Sequence, residues 1–96
     1  MNAFHYAFKV TDIIETRKFY VDILGCEEGR LSDTWIDFNF FGHQLSAHVG
    51  SKIPDLDFCG IVDRVSVPIP HFGCILTPEQ FVHIKNKLER AEIHFL

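Results

Sequence analysis

From Ala3 to Val10 hydrophobic and polar residues alternate, placing Phe4, Tyr6, Phe8 and Val10 on one face and His5, Ala7 and Lys9 on the other. This predicts a strand with one strongly apolar face. Thr11-Asp12 then offers N-cap chemistry, with Glu15 three residues beyond Asp12 in a capping-box position. Ile13, Thr16, Phe19, Tyr20, Ile23 and Leu24 follow at a period of 3.6, which predicts an amphipathic helix that Gly25 should stop. After a short stretch at 26–29, Thr34 to Phe40 alternates again, with Ile36, Phe38 and Phe40 opposite Trp35, Asp37 and Asn39. A tight turn at Phe41-Gly42-His43 leads to a final alternation of Leu45, Ala47 and Val49 against Gln44, Ser46 and His48. Residues 1–50 therefore read as a βαβββ module.

Residues 51–68 carry prolines, a glycine and acidic residues with weak periodicity, and read as a linker. Beyond it the first pattern returns. His71-Phe72-Gly73-Cys74 repeats the histidine, apolar, small, apolar order of His5-Tyr6-Ala7-Phe8, as the first strand of a second module. A helix should follow, with Thr77 as cap, Pro78 as its first residue and Gln80 as capping-box partner, and Phe81, Ile84, Leu88 and Ala91 as its apolar stripe. Glu92 to Leu96 alternates like the opening of another strand. Residues 69–96 thus read as an incomplete second module, and matching the first would take about 20 to 30 further residues. The expected fold class is α+β, one domain over residues 1–96 built from paired βαβββ modules.

Composition narrows the function classes. Forty-seven per cent hydrophobic residues and ten phenylalanines in 96 residues are enough for one packed core and too few for two. A net charge of −4 with scattered Lys and Arg leaves no basic stripe for nucleic acid. No apolar run approaches the roughly 20 residues of a membrane helix, and no signal peptide is visible, so a cytoplasmic protein is expected. Cys26, Cys59 and Cys74 form no CxxC pair and read as reduced, mostly buried thiols. No nucleophile with an adjacent base and no phosphate-binding glycine loop is present, so the catalytic residues stay unassigned.

His5 lies on the strand face opposite the Phe4-Tyr6-Phe8 stripe, and the same arrangement recurs at His71, which makes the pair candidate metal ligands. The motifs Phe4-His5-Tyr6-Ala7-Phe8, Phe19-Tyr20 through Ile23-Leu24-Gly25, and Pro70-His71-Phe72-Gly73 resemble those of the vicinal-oxygen-chelate superfamily: glyoxalase I, extradiol dioxygenases, and bleomycin and fosfomycin resistance proteins. The resemblance implies an open barrel formed by the two modules, with a divalent ion (Fe, Mn, Zn or Ni) inside it. It implies His5 and His71 as ligands and puts His48 near the fourth-strand ligand position. Gln44, on the same strand face, is the alternative occupant, as a weak ligand or a hydrogen-bond partner. The last ligand of the family, usually a glutamate on the eighth strand, has no counterpart here.

Trp35, Asp37 and Asn39 face away from their strand's apolar stripe and are candidates for contacting substrate or orienting a ligand imidazole. Two functions follow from the resemblance. One is a metal-dependent glyoxalase- or dioxygenase-like enzyme acting on a small bidentate oxygen-bearing substrate. The other is a non-catalytic, resistance-type binder of small molecules, or an inactive truncated homologue. A homodimer is expected, because an open strand edge at Glu92 to Leu96 would invite pairing.

Overall fold

The computed structural model describes residues 2–50 and 59–95. The chain divides into two compact units, Met1–Ile53 and Pro54–Leu96. The first is the expected βαβββ module and gives the chain its α+β character. Strand β1 (His5–Val10) leads into helix α1 (Ile13–Arg17), which runs on as a π-helical segment, Lys18–Ile23. Strands β2 (Glu27–Leu31), β3 (Trp35–Phe40) and β4 (His43–Val49) complete a four-stranded sheet in the order β1-β4-β3-β2. β1 runs parallel to β4, and the other neighbours are antiparallel.

The local signals act as their chemistry dictates. Asp12 Oδ1 accepts the Glu15 backbone N–H at 3.0 Å, satisfying a donor that a helix start otherwise leaves unpaired. Gly25 sits at φ 77, a left-handed conformation that a side chain would strain, and its N–H donates to Val21 O to close the helix. The π-helical turn, marked by Leu24 N–H donating to Phe19 O, has no signature in the sequence. Phe41 and Gly42 both take positive φ, 50 and 89, as a two-residue hairpin between right-twisted strands requires.

Alternation places Ile36, Phe38, Leu45 and Ala47 under the helix, where with Cys26 they form the buried core. Tyr6, Phe8, Val10, Ile13, Tyr20, Val21, Leu24 and Phe40 pack around them. Tyr20 stacks on Phe38 with ring centroids 4.9 Å apart. Burying each large side chain contributes about 1.5–3 kcal/mol, so this cluster is the main source of the unit's stability. Burial pushes the Tyr20 hydroxyl up to about 12, with a smaller contribution from Cys26. Cys26 is a buried thiol, Cys74 is half-buried and raised by burial, and the Cys59 side chain lies outside the described residues.

The second unit departs from expectation in three places. Of the expected linker, residues 51–58 lie outside the described residues, but residues 59–68 form a hairpin of β5 (Cys59–Val62) and β6 (Val65–Pro68). Its turn residues Asp63 and Arg64 both take positive φ, 48 and 67. That is the twist a two-residue hairpin needs, reached without the Asn-Gly pair that would have announced it.

Residues 71–76, expected as a strand, carry no strand pairing, since no neighbouring strand among the described residues supplies a ladder. Helix α2 (Pro78–Arg90) forms as expected, with the Thr77–Gln80 capping box complete. Residues 92–95 then form no strand. Glu92 takes φ 60 and the Ile93 N–H returns to Leu88 O, so these residues wrap the helix end instead. The strand edge expected to drive dimerisation is absent from them.

Candidate functional site

The register of the first unit fixes which side chains share its open face, the one away from α1. Along β1 and β4, His5 pairs with Gln44, Ala7 with Ser46, and Lys9 with His48. Along β3 and β4, Asn39 pairs with Gln44, Asp37 with Ser46, and Trp35 with His48. Paired residues of a pleated sheet point to the same side, so three rows cross this face. His5, Gln44 and Asn39 make one row. Ala7, Ser46 and Asp37 make the middle one, and Lys9, His48 and Trp35 the third.

Asp37 and Ser46 are the buried polar residues of the middle row, at 6% and 5% exposure. Ser46 Oγ donates to Asp37 Oδ1 at 2.6 Å, and Arg30 Nε and Nη2 both reach Asp37 Oδ2 at 3.1 Å. Burial by itself would raise this carboxyl. The Ser46 and Arg30 hydrogen bonds, with the charges of Arg30 and His5, outweigh burial and hold it below the usual carboxylate range. Gly29 is required beside it, since a Cβ there would come within 3.2 Å of Asp37 Cβ. The Arg30 guanidinium lies over the Trp35 ring, 5.3 Å from its centroid, and the His48 ring stands 6.3 Å from the same indole. Trp35 and Asp37 thus lie on the expected face, Asp37 as an internal counter-ion with its oxygens occupied. Asn39 is committed elsewhere, because its Oδ1 accepts the Gly42 N–H of the hairpin turn at 2.8 Å.

Within the first unit the register separates two of the expected ligands, His5 and His48. His48 lies opposite Lys9, four residues along β4 from the position opposite His5, which is about 13 Å at 3.3 Å per residue. Two imidazoles on one ion must bring their nitrogens within about 3–4 Å, given Zn–N bonds of roughly 2 Å. The spacing along β4 puts His48 beside Trp35 rather than beside His5, and Gln44 is the β4 residue next to His5. His71 belongs to the second unit, is exposed, and donates its Nδ1–H to Pro68 O at 2.7 Å. That bond leaves Nε2 as the ring's lone-pair nitrogen. Among the described residues no group of three His, Cys, Asp or Glu is gathered to hold an ion. His5 and Gln44 are two neighbouring donors within the first unit, fewer than the four or more that a complete divalent site takes.

Two residues of this face, Arg30 and Ser46, and one at the hairpin, His43, take roles that their sequence neighbourhood does not show. Arg30 precedes no visible motif, and only its proximity to Asp37, created by the β2–β3 pairing, gives it a role. Ser46 was legible as sharing a face with Gln44, but its bond to Asp37 depends on the β3–β4 register. His43 also acts structurally: its Nδ1 accepts the Phe4 backbone N–H at 2.8 Å, which clasps the start of β1 to the hairpin. Beside it lies an open depression of about 330 Å³, lined by Arg30, Asp37, Asn39, His43 and Gln44 among others.

No family model matches the chain, and no curated protein matches its sequence. Solved structures do match. A glyoxalase/bleomycin resistance protein/dioxygenase from Alicyclobacillus acidocaldarius superposes with a TM-score of 0.73 at 27% identity, over 95% of this chain and 64% of that one. The integron cassette protein HFX_CASS4, from the mobile metagenome of Halifax Harbour Sewage Outfall, gives 0.68 at 20% identity, over 94% and 70% of the two chains. The oxidase ChaP-H2 gives 0.64 at 17% identity, over 96% and 63%. The chain thus spans a little under two-thirds of the length of the first of these. Its fold is that of the glyoxalase/bleomycin resistance protein/dioxygenase structure it superposes on, in keeping with the resemblance of its motifs to the vicinal-oxygen-chelate superfamily.

Proposed function

We propose that this chain binds a small oxygen-bearing molecule on the open face of its four-stranded sheet, as a binding member of the superfamily. The observation that carries this reading is the Arg30–Trp35–His48 group, in which a cation and an aromatic surface are held ready by the Asp37–Ser46 pair. An exposed guanidinium beside a half-buried indole on a rigid sheet serves ligand recognition, because little side-chain freedom remains to be lost on binding.

A second reading, metal-dependent glyoxalase- or dioxygenase-type chemistry on a bidentate substrate, is favoured by His5 standing beside Gln44. It requires donors beyond these two, and His71 is the candidate supplied by the resemblance. Calorimetric titration of catechol separates the two readings. Under the first, catechol binds with a chelator present. Binding that appears only with added Mn²⁺, and is lost in both His5→Ala and His71→Ala, would replace the first reading with the second.

A further inference from the structure

We propose that Arg30 anchors a ligand carboxylate on this face, an inference that rests on the binding reading above and narrows its ligand class. A guanidinium can grip a planar oxyanion along either of two edges, one formed by Nε and Nη2 and the other by Nη1 and Nη2. In this chain the first edge is used within the fold, since both Nε and Nη2 lie 3.1 Å from Asp37 Oδ2. Ser46 fixes the other oxygen of Asp37 at 2.6 Å, so the carboxylate that holds Arg30 is itself held. The Trp35 ring supports the guanidinium at 5.3 Å.

The second edge is unused. Nη1 makes no hydrogen bond among the described residues, and the Arg30 side chain is 77% exposed. Arg30 also lines the open depression of about 330 Å³, a volume within the range of small-molecule sites. Arg30 and Asp37 cancel in charge, as do Lys9 and Glu27 on the same face, so an anion meets the unused Arg30 edge rather than a net charge. An oriented, exposed edge with two N–H directions beside an indole is the complement of an aromatic carboxylate.

Trp35 is the chain's one tryptophan, so its fluorescence reports on this face. Benzoate titrated into the full chain at pH 7 should change that emission. Benzamide has nearly the same shape without the charge and should bind roughly tenfold or more weakly, the usual loss of a charge-assisted pair. Arg30→Gln should bring benzoate down to the benzamide level. Arg30→Lys retains a positive partner for Asp37, which protects the fold, yet lacks the two-pronged edge, and should fall close to Arg30→Gln.

Equal affinities for the two compounds, or benzoate binding unchanged in Arg30→Lys, would overturn the anchor and leave the binding surface standing. If neither these compounds nor catechol binds the folded wild type, the surface and the anchor fall together.

Discussion

The two units use similar sequence patterns and reach different degrees of burial. In the first, β1 finds a parallel partner in β4 and the helix closes over Ile36, Phe38, Leu45 and Ala47, each at 1% exposure or less. In the second, residues 71–76 lack a ladder, none of residues 60–95 is buried, and apolar side chains such as Ile75, Phe81 and Val82 stand exposed. Both helices are capped, α1 by Asp12 alone and α2 more fully by the reciprocal Thr77–Gln80 box. Capping and amphipathic spacing specify where a helix begins and which face it offers, but the core comes from a sheet beneath that face.

The largest test of this contrast is a pair of phenylalanines. Phe38→Ala should cost about 3–5 kcal/mol, because it opens a cavity under Tyr20 that the sheet cannot close. Phe81→Ala, at a position 58% exposed, should stay within about 0.5 kcal/mol in the same denaturant titration. Comparable losses would mean that the second unit has a core of its own.

Next in size is the Asp37 network. Ser46→Ala removes the donor to a buried carboxylate and should cost about 1–3 kcal/mol. The folded Asp37 carboxyl is held below its ordinary value, so its contribution is present in full above the unfolded value, about 4, and is lost as pH falls through the lower folded value. The denaturant midpoint should therefore drop between pH 5 and pH 3, and Asp37→Asn should flatten that part of the profile. Tyr20 gives the opposite limit. Its hydroxyl is raised to about 12, so stability should decline as pH rises from the unfolded value near 10 through that range, and Tyr20→Phe should remove the decline.

Smaller again are the caps. Asp12→Ala and Thr77→Ala should each cost about 1 kcal/mol of helix stability. Circular dichroism should show more helix lost for Thr77→Ala, because α2 lacks the packing on a buried core that Ile13 gives α1. Least of all, His48→Ala should leave any metal content of the purified chain unchanged, since its register puts it away from His5. Loss of metal in that variant would reverse the reassignment.

These comparisons also show how far the sequence could be read. Alternation in residues 5–10, 35–40 and 43–49, the Asp12 cap and the Gly25 stop gave the first module, because each depends on neighbours in the chain. The β5–β6 hairpin was missed because Asp63-Arg64 is an unadvertised turn. The neighbours of His48 are hidden in the sequence for a different reason. Facing direction is written in the period of a strand, but which β4 residue stands beside His5 is decided by the parallel β1–β4 register, a long-range pairing. Arg30 came into view only once β2 was aligned on β3 and brought its guanidinium to Asp37.

The central claim is that function resides on the open polar face of the first unit, and amide NMR of the full chain during catechol addition tests it directly. The account predicts shifts concentrated at the Trp35 indole and the amides of Arg30, Asp37, Ser46 and His48, with α2 unmoved. Shifts confined to residues 59–95, or core amides moving while the Trp35 indole stays still, would contradict it.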